Sequence, residues 1–403
     1  MVARAQFPKR WQCSELRLPD GTVIGSGVLT LTARGRIDLE VTFPSPRSGL
    51  GDDEDLEQDI SGTTDDGQEL RATMCAPTST TGFKTKLVVG AAVIERPSHA
   101  PRWTRKVLHL RGARCIGPTQ FDDGAFSIRL ADRSGPDDDT RGNIRASLEM
   151  TARAPVEQWD DDAGHDYLQL LSVAQRVQVW AALEEFYDRD SLVRTVLTNT
   201  AGGWECTNPL VPWWPKPLAS FFLQTLPRYR AERSRYELDS LIWHFCRSYV
   251  EDVVDMKFIS ASVFMEAFKF HWAKNVAGLT ADLKANGLVR GFVKSTTAKG
   301  KPVLFTFEEL LTQACAHLGF VADVEFIEDR NALFHTGAPG SAQRGQRNSW
   351  VALRSDLIRL YAQMDEILLR ILGYHGPFDA WDKPDETMEF PTRIVLQNYD
   401  PLV

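Results

Sequence analysis

Polar and apolar positions alternate along the first half of the chain. A strand over 15–18 meets the turn Pro19, Asp20, Gly21, and the segment 22–32 that follows is rich in Val, Leu, Ile and Thr. After Arg34 and Gly35, the residues Ile37, Leu39, Val41 and Phe43 share one face of another strand. The same pattern predicts strands over 69–75, 86–95, 107–115, 125–130 and 143–151, broken by Gly, Pro and Asp, with a short helix over 167–174. A hairpin over 177–186 and 192–198, joined through Asp188, Arg189 and Asp190, closes this part. Regular strands with frequent turn residues predict a sandwich or a curved antiparallel sheet.

From Leu218 the apolar period becomes helical. Helices are predicted over 218–233, 238–254, 258–274 and 281–293, with Leu241, Phe245, Tyr249 and Ile259, Val263, Phe270 at three and four spacing. Thr306 with Glu309 reads as a capping box opening a helix over 307–318. A helix over 321–335 ends at Gly337, a Gly/Ser/Gln loop spans 337–348, and 351–372 is the longest periodic segment, with Leu357, Tyr361, Met364, Ile367, Leu368 and Ile371 on one stripe. Between the halves, Pro209, Pro212, Pro215 and Pro217 exclude a helix and make a stiff connector in which Trp213 and Trp214 are expected to pack a domain joint. The expectation is an α+β multidomain chain. An antiparallel β-rich, sandwich-like domain (1–205) is followed by a connector (206–217) and an all-α helical bundle (218–403).

With 403 residues, 43% hydrophobic and 25% charged, the chain has the composition of folded domains and the length for two or three cores. No run approaches the roughly 18 apolar residues that span a bilayer, and residues 1–10 carry charges without an apolar core, so a soluble cytoplasmic protein with no membrane partner is expected. Six cysteines are scattered without paired spacing, which predicts reduced thiols and neither a structural metal nor another cofactor. The net charge of −8 falls unevenly: residues 1–215 hold 24 basic and 31 acidic side chains, residues 216–403 hold 22 and 23. The acidic stretches 49–67 and 132–141 are expected as solvated loops, and a near-neutral second half leaves room for a local basic groove. Nothing in the first half resembles a phosphate loop, a dinucleotide fingerprint or a nucleophile elbow.

The chemistry-bearing stretch is 328–337. At about 3.6 residues per turn Asn331 and His335 stack on one helix face, and Arg330 projects about 140° round from His335. Glu328 and Asp329 precede Arg330 and either orient its guanidinium or solvate the turn. Arg370 and His375 repeat the spacing, but Ile371 replaces the polar second residue and Gly373 interrupts the segment, so this pair is read as a decoy. An arginine can hold two phosphate oxygens, and an imidazole, with an ordinary pKa of about 6.5, can give or take a proton near neutrality. A place in the last helical turn favours a cation, which points His335 toward an acid or shared acid–base role. Asn331 would orient the histidine or the phosphate. Glu266, among Phe264, Phe268 and Phe270, is a candidate supporting carboxylate for Arg330, and Arg344 and Arg347 in the following loop are candidate substrate contacts.

The residues Arg330, Asn331, Ala332, Leu333, Phe334, His335 resemble the RNxxxH motif of the HEPN superfamily. The order of a β-rich half before a helical half is similar to the ApeA-like branch associated with bacterial anti-phage defence. The resemblance implies a metal-independent endoribonuclease whose RNA substrate is cut by its own 2′-hydroxyl, leaving a 2′,3′-cyclic phosphate and a 5′-hydroxyl. It also implies a homodimer, or a higher homo-oligomer, with motif helices facing each other, and an amino-terminal part that senses a phage-derived trigger. The competing expectations are a catalytically silent bundle that binds RNA or protein, and a purely structural two-domain protein.

Overall fold

The computed structural model describes residues 7–44, 58–81, 83–96, 102–113, 118–132, 144–156, 163–200, 209–211, 217–336, 349–380 and 392–395. Two compact units emerge, residues 1–164 with 179–205, and residues 165–178 with 206–403. Trp213, Trp214, Arg344 and Arg347 lie outside the described residues, as do the acidic segments 49–57 and 133–141.

The first unit is antiparallel throughout. Its strands are β1 (Lys9–Arg17), β2 (Val23–Leu31), β3 (Ile37–Thr42), β4 (Gln58–Thr64), β5 (Glu69–Thr81), β6 (Lys84–Val89), β7 (Ala91–Glu95), β8 (Trp103–Arg111), β9 (Thr119–Asp122), β10 (Phe126–Asp132), β11 (Ala146–Val156), β12 (Trp180–Asp188) and β13 (Ser191–Thr198). They form one sheet in the order β4-β1-β2-β3-β6-β5-β7-β13-β12-β8-β11-β10-β9, and β4 also pairs with β5. That extra pairing closes six strands into a barrel, so the sandwich-like expectation is corrected.

The closing strand β4 lies in the stretch expected to be a solvated loop. Ile60 is its only buried apolar side chain, so the apolar pattern was too thin to reveal it. Backbone pairing with β1 and β5 builds it instead, and a side chain at Gly62 would sit 2.4 Å from the Glu15 carbonyl oxygen. Leu29, Leu31, Leu39, Val41, Leu70 and Val89 belong to the continuous apolar core of this unit.

One charged cluster is buried with these strands. His109 Nε2 on β8 lies 2.8 Å from Glu185 Oε2 on β12, the Tyr187 hydroxyl donates to the same oxygen at 3.0 Å, and Lys9 of β1 pairs with Oε1. Burial works against ionisation of Glu185, but the hydrogen bond and charge of His109, with Lys9, outweigh it and bring its pKa down to about 2.

The second unit holds α1 (His165–Gln175), α2 (Pro217–Tyr236), α3 (Leu238–Val250), α4 (Val254–His271), α5 (Phe307–His317), α6 (Ile327–Thr336) and α7 (Ser349–Ile371). A π-helical turn, Trp272–Val276, follows α4. The all-α expectation is corrected by five strands among the described residues of this unit. β14 (Ala281–Leu283), β15 (Val289–Thr296) and β16 (Pro302–Leu304) form a three-stranded sheet, and β17 (Pro377–Ala380) pairs with β18 (Thr392–Val395). The helix expected over 281–293 is thus a hairpin. Leu283 and Leu288 are 59% and 61% exposed, so they form no buried helix face, and Asn286-Gly287, with φ +78° at the glycine, makes the turn. The Lys284 amide donates to the Leu288 carbonyl at 2.8 Å across it. Among the described residues no helix is long and apolar enough to cross a membrane.

The helices converge on a buried ion pair. Arg176, just past α1, donates from Nε to Asp365 Oδ1 on α7 at 3.3 Å and from Nη2 to Oδ2 and the Asp379 carbonyl. The Tyr249 hydroxyl of α3 donates to Asp365 at 2.9 Å, and its ring stacks 4.1 Å from that of Tyr361, whose hydroxyl bonds the Ser248 carbonyl at 2.5 Å. Burial raises the Asp365 pKa, and Arg176 and Tyr249 oppose that rise. Asp365→Ala removes the carboxylate that a buried guanidinium faces, so chemical denaturation is expected to show a loss of about 3–5 kcal/mol. A loss below about 1 kcal/mol would show that the helices are held by apolar packing alone.

Candidate functional site

The helix α6 carries the motif and begins six residues later than the sequence pattern indicated. The segment before it is irregular, and Val321 is 90% exposed. The Arg330 amide donates to the Phe326 carbonyl at 2.9 Å, which fixes its place in the first turn.

The side chain of Arg330 turns inward and is 16% exposed. Its guanidinium lies 4.4 Å from the ring centre of Phe307 and 5.2 Å from that of Phe334. Phe307 is the first residue of α5, whose start the capping box sets: Glu309 donates its amide to Thr306 Oγ1 at 3.1 Å and accepts from the Thr306 amide at 2.9 Å. Nη1 of Arg330 donates to Asn331 Oδ1 at 2.8 Å, and Nη2 lies 3.3 Å from Glu266 Oε1 on α4. Glu266 also pairs with Lys269 at 2.8 Å, and the Lys269 ammonium sits 5.0 Å from the Phe307 ring centre. One ring therefore meets two cations, and one carboxylate bridges them. The remaining donor, Arg330 Nε, is buried without a hydrogen-bond partner.

Asn331 and His335 are exposed, as is Phe334 at 48%. The structure thus brings Arg330 and Asn331 into direct contact and places Glu266 beside them. His335 follows Asn331 by four positions, on the exposed side of α6. The repeat at Arg370 is differently employed. Its Nε and Nη2 donate to Glu366 one turn away at 2.9 and 2.7 Å, and Nη1 to the Leu318 carbonyl at 3.1 Å.

Two contributors escaped the sequence pattern. Phe307 was legible only as a helix start, and nothing local marks it as a support for Arg330. Asp356 of α7 hydrogen-bonds Asp329, which is buried beside Arg330. Burial first, then the charge and hydrogen bond of Asp329 and the charge of Asp323, raise the Asp356 pKa to about 7. The segment just before α6 is tied to α7 by Arg359 pairing with Glu325 and by the Asp323 amide donating to Gln363 Oε1 at 2.6 Å. Among the described residues no group of three His, Cys, Asp or Glu is placed to hold a metal. Comparison with protein family models, with curated proteins and with solved structures found no match.

The shared proton gives the site a pH dependence. Folded Asp356 keeps its proton up to about pH 7, whereas an unperturbed aspartate releases it near 3.8. The folded chain binds more protons across that window, so stability from this pair declines as pH rises through it and is level above it. The melting temperature of Asp356→Asn is expected to exceed that of the unsubstituted chain at pH 8 by more than at pH 5. An equal difference at both pH values would show that no proton is shared.

Proposed function

We propose that the chain is an endoribonuclease of the HEPN type, with Arg330, Asn331 and His335 as its reacting group. The observation that carries the reading is the state of Arg330: a guanidinium stacked on Phe307, held by Glu266, bonded to Asn331 and with Nε unspent. Such a cation is oriented before substrate arrives, which is what stabilising a charged phosphorane requires. The 2′-oxygen of RNA forms a bond to phosphorus and yields its proton to a base. The 5′-oxygen–phosphorus bond then breaks, and the leaving oxygen takes a proton from an acid. His335, exposed in the last turn of α6, supplies one of those two proton steps.

One motif helix offers a single imidazole, so the complete site takes two copies of the chain with their α6 helices facing. The β-rich unit then serves recognition of a phage-derived trigger, as the ApeA-like resemblance implies. The cytoplasm suits the four described cysteines, Cys13, Cys75, Cys246 and Cys315, all of them buried. A second reading, a silent RNA- or protein-binding bundle, is favoured by the commitment of Arg330 to Glu266, a partner that a phosphate would have to displace.

Incubation of RNA with the purified chain separates the two. Cleavage that survives EDTA and leaves 2′,3′-cyclic phosphate and 5′-hydroxyl ends is expected, with Arg330→Ala and His335→Ala each slower by about 100-fold or more. Equal behaviour of all three proteins would establish the silent bundle.

A further inference from the structure

The β14–β16 sheet departs from the charge balance of the rest of the chain. Residues 281–304 contain five basic side chains, Lys284, Arg290, Lys294, Lys299 and Lys301, against the single acid Asp282, in a chain whose net charge is −8. Two of the five serve the scaffold. Arg290 pairs with Asp282 at 2.5 Å across the first hairpin, and Lys294 pairs with Glu309 of α5. Lys284, Lys299 and Lys301 are exposed, and among the described residues none of them has a carboxylate partner. They sit at the two hairpin turns, one at each end of β15, where the turn bonds run from Lys284 to Leu288 and from Thr297 to Lys301. Eight extended residues separate the turns by roughly 25 Å.

The sheet is also joined to the motif. Phe292 is buried and packs against Phe270 of α4 with ring centres 5.6 Å apart. The Phe305 amide donates to the Phe292 carbonyl at 2.9 Å, and two residues later Phe307 carries Arg330. Bonds through β16 and the Thr306 cap thus hold the lysine-bearing hairpins to the ring beneath the guanidinium.

We propose that the β14–β16 sheet is a platform for the phosphate backbone of single-stranded RNA, with Lys284, Lys299 and Lys301 as its cations and the Arg330 end of the motif as its destination. The inference rests on the ribonuclease reading for the identity of the polyanion. Its own support is the charge excess, the unpaired lysines at both ends of β15 and the covalent and hydrogen-bonded path to Phe307. The contacts fall on the backbone, so binding is indifferent to base sequence and steeply dependent on salt.

The test is fluorescence anisotropy of a labelled oligouridylate with His335→Ala protein, which keeps the RNA intact, at 50 to 200 mM salt. Adding Lys284→Ala, Lys299→Ala and Lys301→Ala is expected to weaken binding at least tenfold at 50 mM. The slope of log affinity against log salt is expected to flatten by about 2, at about 0.7 per lost cation. The corresponding triple Lys→Arg protein keeps the charge and is expected to bind as the parent does. Unchanged affinity and slope in the Ala protein, failure of the Arg protein, or a parent that does not bind the oligonucleotide would each overturn the platform. A change in sedimentation with RNA affinity intact would assign the sheet to a second copy of the chain and overturn it too. Cleavage by the unsubstituted protein is measured separately, so a platform that binds without cutting marks failure of the nuclease reading alone.

Discussion

Arg176 and Asp365 meet where water does not reach, and each would be costly there without the other. Their geometry is satisfied from three helices and a strand: Arg176 from the end of α1, Tyr249 from α3, Asp365 from α7 and the Asp379 carbonyl from β17. An ion pair of this kind adds little net stability compared with apolar packing, but it tolerates few alternative arrangements. It sets the position of α7. That helix in turn meets the motif helix through Asp356 to Asp329, and the segment leading into it through Arg359 to Glu325 and Gln363 to the Asp323 amide.

Around Arg330 the same physics is used at lower cost. The guanidinium keeps partial exposure, stacks on an aromatic ring and faces a carboxylate that is itself 44% exposed. Stacking covers the flat face of the cation and leaves its hydrogen-bonding edge to Glu266 and Asn331. Glu266 also steadies Lys269 beside the same ring, so the carboxylate keeps two cations near Phe307. His335 is exposed on α6, four positions beyond Asn331.

Much of the architecture was legible in the apolar pattern. Ile37, Leu39 and Val41 alternate and are buried on β3, and the stripe Leu357, Tyr361, Met364, Ile367, Leu368 and Ile371 is the buried face of α7. The capping box at Thr306 is formed as the spacing required. Glu266 could be singled out as a carboxylate for Arg330, although only its place on α4 put it 3.3 Å away. Among the elements that were not legible, β4 has little apolar content because backbone pairing closes the barrel through it, and Leu283 and Leu288 of the β14–β15 hairpin are apolar yet exposed.

By itself the sequence determined which segments alternate, which are periodic, where α5 starts and that Arg330, Asn331 and His335 share a short helix. Those properties depend on residues a few positions apart, whose geometry the backbone fixes. Tertiary structure alone decided that six strands close into a barrel, that a basic sheet interrupts the helices and that Asp329 meets Asp356 of α7. Each of these joins groups far apart in the chain, and their energy comes from the burial and pairing that only the folded chain creates.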